Sequence, residues 1–186
     1  MNNGGFMKRY MFVAMIALSC AIASAQDQNL LKNGDFSANE NGVPASWKNM
    51  DAHAKIAIIT QDLPEGFTSG LSAELVTAAD NHGQIIQGIS PVKPKSDFRV
   101  EGWVKSADVM GAYIQIKLLK NKKEFMRINS EGSVSGKWML LKKDFNSEDA
   151  DTIQIILRFA KKPSSIGSKS LFTGIKLVPV EKPAQP

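Results

Sequence analysis

Residues 97–107 read DFRVEGWVKSA, and the fold class follows from how this stretch divides. Side chains alternate across a strand with period two. Phe98, Val100, Gly102 and Val104 therefore share one side, and Arg99, Glu101, Trp103 and Lys105 the other. The first row is a core face. The second sets an indole among charged groups on a surface that the alternation turns toward water.

Working outward, the same period recurs in short runs along the chain. Ala54 to Thr60, Leu71 to Thr77, Gln84 to Ser90 and Phe98 to Lys105 come first, then Tyr113 to Lys120, Phe125 to Ile128, Trp138 to Phe145, Ile153 to Phe159 and Leu171 to Val178. Turn-forming residues fill the gaps: Pro64-Glu65-Gly66, Ala79-Asp80-Asn81, Pro91 to Pro94, Asn121, Glu131 to Gly136, Asn146 to Asp149 and Pro163 to Gly167. After the N-terminal leader no segment sustains a 3.6-residue period over three turns. Many short strands at this spacing predict an all-β, antiparallel sandwich or barrel. Ahead of them, Leu31, Phe36 and Trp47 are expected to plug one end of the core, with a ligand platform as the alternative role for Trp47.

The ends bound the domain. Lys8 and Arg9, the apolar run Met11 to Leu18 and Ala23-Ser24-Ala25 have the order of a cleavable signal peptide. Met7 would serve equally well as its start. Cleavage before Gln26 leaves 161 of the 186 residues, the size of one domain, and lowers the formal charge from +5 to +3. Cys20, the single cysteine, lies in that leader. Ser19 before it admits a lipid-attachment reading, but Ala17 and Leu18 break the usual order, so an exported chain, secreted, periplasmic or at the cell surface, is the expectation. The mature chain then has no thiol for disulfides, metal or nucleophilic chemistry. No stretch reaches the ~20 apolar residues of a membrane span. The domain is expected over residues 26–180, with 181–186 a disordered proline-bearing tail and no appended enzyme. Lys117, Lys120, Lys122 and Lys123 form the densest basic patch, which reads as a solvated hairpin tip rather than a nucleic-acid site.

Two later strands repeat the two-faced character. In 113–119 the apolar row is Ile114, Ile116 and Leu118, against Tyr113, Gln115 and Lys117; in 152–159 it is Ile153, Ile155, Leu157 and Phe159, against Thr152, Gln154, Ile156 and Arg158. If the three strands share a sheet, Trp103, Tyr113, Gln115, Gln154, Arg99 and Arg158 share one polar face. Ordinary solvent exposure would account for such rows. So would sugar binding, since a pyranose presents a C–H face to an aromatic ring and hydroxyls to amides and guanidinium groups.

The segments NLLKNGDF from Asn29, Gly42 to Trp47, GLSAELV from Gly70, IIQGISPVKP from Ile85, DFRVEGWVK from Asp97, KWMLLKKDF from Lys137 and LFTGIKLV from Leu171 together resemble jelly-roll carbohydrate-binding modules of the grouping that covers families four, nine and twenty-two. The resemblance spans the mature chain in order. It implies a galactose-binding-like β-sandwich that binds glycans, of β-glucan or xylan type, without cleaving them. It makes Trp103, Tyr113, Gln115, Gln154, Arg99, Arg158 and Glu101 the candidate contacts, with Gln87 in second place. Relatives often hold a structural calcium between an acidic residue after the first NGDF segment and an aspartate in the last strand. Here Ser37 and Thr173-Gly174 stand at those places. Calcium takes six to eight oxygen ligands with carboxylates among them, so no metal and no other cofactor is expected.

A glycosidase needs two carboxylates facing across a cleft, roughly 5 to 9.5 Å apart. The acidic residues here sit mostly in turns, Glu101 excepted, and a lone carboxylate beside Arg99 suits an ion pair or a hydrogen-bond acceptor. His53 and His82 stand beside turns without ligand spacing. The expectation is a monomeric, non-catalytic glycan-binding module. A cell-surface sandwich used for protein assembly, its sugar site lost, is the alternative that fold alone leaves open.

Overall fold

A computed structural model of the protein describes residues 28–50, 52–77, 83–108, 111–159 and 165–180. The expected leader with Cys20, the 181–186 tail and His82 lie outside the described residues. Twelve strands run in chain order among those residues: β1 (Asn39–Glu40), β2 (Val43–Pro44), β3 (Lys48–Asn49), β4 (Ala54–Ile59), β5 (Gly70–Leu75), β6 (Gly83–Ile89), β7 (Asp97–Ser106), β8 (Ala112–Lys120), β9 (Lys123–Ser133), β10 (Met139–Asn146), β11 (Thr152–Phe159) and β12 (Lys169–Pro179). Among the described residues no helix is long and apolar enough to cross a membrane.

Every pairing between these strands is antiparallel. One five-stranded sheet has the order β10-β7-β12-β5-β4, a second the order β3-β6-β11-β8-β9, and β1 pairs with β2 alone. The protein is an all-β, antiparallel sandwich of two sheets. β7 lies between β10 and β12 in the first sheet, and β11 between β6 and β8 in the second.

The alternation explains the core. Val100 and Val104 of β7, Leu71 of β5, and Phe172 and Leu177 of β12 are fully buried, as are Ile114, Ile116 and Leu118 of β8 and Ile153, Ile155 and Leu157 of β11. Each such side chain contributes about 1.5–3 kcal/mol when it leaves water. Gly102 of β7 belongs to the same row, and a Cβ there would collide with Ile175. One end of the core is closed as the sequence suggests: Phe36 is fully buried, Leu31 and Trp47 nearly so, and the Phe36 and Trp47 ring centroids lie 5.4 Å apart. The Trp47 indole donates to the Asn33 carbonyl at 3.0 Å. That engagement makes it a core residue rather than a ligand platform.

One strand is much longer than its sequence suggests. β9 was expected over 125–128 and a turn over 131–136, but pairing runs from Lys123 to Ser133 with shifts of register near Leu118 and Tyr113. β9 is an edge strand, so its composition need not be apolar on both faces. Bulges absorb the residues that break its alternation.

Candidate functional site

The shared polar face expected for β7, β8 and β11 does not form, because β7 lies in the first sheet and β8 and β11 in the second. Arg99, Glu101 and Trp103 therefore face outward on one side of the sandwich, and Tyr113, Gln115, Gln154 and Arg158 on the other. The period of each strand was legible; which sheet it joins depends on long-range pairing that alternation does not encode. Gln87 departs further. It shares the core-facing row of Ile155 and Ile116, is 7% exposed, and is engaged at both ends of its amide by the Lys32 backbone, at 2.7 and 2.9 Å.

The outward face of the first sheet is a lattice of ion pairs. Arg99 binds Asp144 through two nitrogens at 2.6 and 2.9 Å. Lys142 and Lys176 flank Glu101 at 3.5 and 4.0 Å, and Lys169 meets Glu74 at 3.5 Å. The hydrogen bond from Arg99 holds the Asp144 carboxyl below the usual carboxylate range, with the nearby positive charges adding to it. Trp103 stands at one end of this face, half-buried between Leu140 and Thr173. A Cβ on Gly174 would lie 2.5 Å from the Phe67 ring and 3.5 Å from Trp103, so both rings close over the missing side chain. The loop joining β4 to β5 is tied down beside them. Asp62 accepts from the Trp138 indole at 2.8 Å through its carbonyl and from Lys105 at 2.6 Å through its carboxylate. Trp103 belongs to a loop anchor.

The outward face of the second sheet has a different chemistry. Its cross-strand rows, read from the pairing, are Gln84, Arg158, Tyr113 and Gly132; then Lys48, Ile86, Ile156, Gln115 and Asn129; then Gly88, Gln154, Lys117 and Arg127. The middle was expected to be wet, yet Ile156 is 0%, Gln115 3% and Arg158 7% exposed. Inside this floor a relay of hydrogen bonds forms. Arg158 donates through Nε and Nη2 to Gln115 Oε1 at 3.0 and 2.7 Å, and Gln115 Nε2 donates to Asn129 Oδ1 at 2.8 Å. Burial pulls the Arg158 guanidinium down from its ordinary pKa, an effect that Tyr113 partly offsets. The relay turns the amide nitrogen of Asn129, an exposed residue, into an oriented donor.

Around this floor stand Tyr113, Gln154 and Lys117, half-buried, and Arg127, exposed. Glycines leave notches at two positions: Gly132 lies opposite Tyr113, and Gly88 opposite Gln154 with its open space 3.8 Å from the Gln154 side chain. Glu124 binds Lys117 at 3.0 Å and Arg127 at 2.6 Å. Desolvation pushes its carboxyl up, but the bonds from Lys117 and Arg127 outweigh that and set it below its ordinary 4.5. The arrangement offers one phenol ring, several amides and fixed cations on one surface. Asn129 and Glu124 lie in the part of β9 beyond its expected ends, and Arg127 lies inside the expected strand 125–128 without having been a candidate. Gln84 stands on the outward row of β6, the strand on which Gln87 was the candidate. A parity check against Ile85 would have separated the two glutamines.

The sequence profile of a family described as a carbohydrate binding domain, covering modules of families 4 and 9, matches residues 28–165. The chain belongs to this family. No curated protein matches the sequence. Solved structures similar to this carbohydrate-binding domain share its jelly-roll fold at low identity. A xylan-binding domain, CBM22-1, from Paenibacillus barcinonensis is 13% identical with a TM-score of 0.59, over 84% of this chain and 97% of that one. A module of family 61 in complex with beta-1,4-galactotriose is 14% identical with a TM-score of 0.55, over 83% of this chain and 100% of that one. The enzymatically active domain of tailspike protein 4 of bacteriophage CBA120 is 14% identical with a TM-score of 0.66 over 82% of this chain, but the chain spans only 21% of its length.

The position where relatives hold calcium does not fit that ion in this domain. Thr173 is fully buried and donates its hydroxyl to the Ser69 carbonyl at 2.7 Å. Asp35 Oδ1 is engaged by the Ser37 amide and hydroxyl at 3.3 and 3.1 Å. The cavity beside it, about 270 Å³, is lined by Phe67, Gly174 and Lys176 among others. Two asparagines also line it, but Asn29 Oδ1 already accepts from the Leu31 and Leu177 amides and Asn33 Oδ1 from the Ala38 amide. One carboxylate with a lysine in the same lining is a poor set of donors for calcium.

Proposed function

We propose that the protein is an exported, non-catalytic and monomeric carbohydrate-binding module whose glycan site is the outward face of the second sheet. Tyr113 supplies the ring against which a sugar C–H face rests, and Asn129 and Gln154 supply directional partners for hydroxyls. Gln115 and Arg158 act from beneath as positioning residues. The observation that carries this reading is the relay from Arg158 through Gln115 to Asn129: a buried polar chain ending at a fixed, exposed amide beside a half-buried phenol. A purely solvated face has no need to order its amides at the entropic cost of holding them. Arg99, Glu101 and Trp103 lie on the opposite side of the sandwich and take no part in this site.

Affinity electrophoresis against a panel of soluble polysaccharides, starting with β-glucan and xylan, tests the reading. At least one polymer is expected to retard the protein. Tyr113→Ala is expected to remove that retardation while melting as the parent does, Asn129→Ala to remove it with a lowered Tm because the buried Gln115 Nε2 loses its acceptor, and Trp103→Ala to keep it. Retention lost in Trp103→Ala and kept in Tyr113→Ala would move the site to the first sheet. No retardation by any polymer would overturn the sugar-binding reading.

A further inference from the structure

We infer, resting on that reading, that the polysaccharide taken by the second sheet is anionic and carries carboxylate or sulfate groups along its chain. Among the described residues the outward rows hold four cations, Lys48, Lys117, Arg127 and Arg158, and one carboxylate, Glu124. Lys117 and Arg127 stand directly opposite each other on β8 and β9. Like charges in that position repel, and both lean on the same Glu124. A bound anion would supply the second negative charge that this pair lacks.

The cations are also spread to suit a polymer. Arg158 lies four residues along β11 from Gln154, the residue paired with Lys117, so the guanidinium row and the Lys117–Arg127 row are about 14 Å apart at ~3.4 Å per residue. Between them lies the amide row of Gln115 and Asn129. Beyond Lys117 the exposed Lys120, Lys122 and Lys123 of the β8–β9 turn continue the strip, with Asp151 as its acidic neighbour, bound to the Asn121 amide at 2.7 Å. A neutral glucan or xylan would use the ring and the amides and bring no negative charge to Lys48, Lys117, Arg127 and the turn lysines. On the first sheet, by contrast, Asp62, Glu74, Glu101 and Asp144 are distributed from end to end among the cations.

The test is affinity electrophoresis of the purified protein in physiological salt against polygalacturonate, the same polymer after reduction of its carboxyl groups, dextran sulfate and unmodified dextran. At least one acidic polymer is expected to bind about tenfold more tightly than its neutral counterpart, and the acid that does so distinguishes carboxylate from sulfate. Lys117→Gln with Arg127→Gln should lower that affinity to the level of the neutral polymer. Lys142→Gln with Lys176→Gln, on the opposite sheet, should leave it unchanged. Equal binding of each acidic polymer and its neutral partner overturns the inference and leaves the sugar site standing. Equal losses from both pairs of substitutions also overturn it, since the attraction then belongs to net charge. Binding to no polymer here or in the wider panel removes the sugar-site reading beneath it. Should the double variant misfold, the comparison of each acidic polymer with its neutral partner decides by itself.

Discussion

At the scale of single residues, Gln115 joins the buried and the exposed parts of the second sheet. Its amide oxygen accepts from the Arg158 guanidinium and its nitrogen donates to Asn129. Gln115→Ala is expected to cost about 2–3 kcal/mol in urea denaturation, because it strips acceptors from a charged, buried donor. It should weaken glycan binding as well, while Gln115→Glu should restore stability by giving Arg158 a charged acceptor. Glu124 gives a pH signature. Its folded pKa lies below 4.5, so the stability it contributes is present above that value and is lost as pH falls through the folded one. The difference in Tm between the wild type and Glu124→Gln is therefore expected to hold steady above about pH 5 and to close below 4.5. A difference that stays constant down to pH 2.5 would remove this ion-pair cluster as a source of stability. The residue types of the site were legible in the sequence. The burial of Gln115 and Arg158 was not, because alternation assigns a face and says nothing of what lies over it.

Among the elements, β7 shows how far the pattern reaches. Phe98, Val100, Gly102 and Val104 form the core row that the sequence demands, and eight of the nine expected strands, all but β9, lie within two residues of their expected ends. The assignment of β7 to the sheet opposite β8 and β11 rests on its pairing with β10 and β12, and no local signal carries that. β9 failed for another reason: Asn129, Ser130, Glu131 and Gly132 are turn-like in composition, and only the length of β8 beside them draws them into a strand. The NGDF segment is an element with a single weak point. Gly34 accepts from the Ile175 amide at 2.9 Å, and a Cβ on it would strike the Ile175 carbonyl. Gly34→Ala is accordingly expected to destabilise the domain by about 2–4 kcal/mol, measured as a lower denaturation midpoint with an unchanged slope. A loss under 0.5 kcal/mol would show that β12 yields there at little cost.

For the whole molecule, the two sheets divide the work. The first holds its outer face with ion pairs and anchors the β4–β5 loop through Trp103, Phe67 and Trp138; the second presents a phenol, amides and cations around a sheltered floor. Export through the leader belongs to the same proposal, and the mass of the protein recovered from a secreting host is expected to place its N-terminus at Gln26. The claim on which the rest depends is that glycan meets the second sheet. Backbone amide shifts followed by NMR during titration with a retarding oligosaccharide test it most directly. The largest changes are expected at Tyr113, Gln115, Lys117, Arg127, Asn129 and Gln154, with Arg99, Glu101 and Trp103 unmoved; changes concentrated on Trp103 and its neighbours in β10 and β12 would contradict the account.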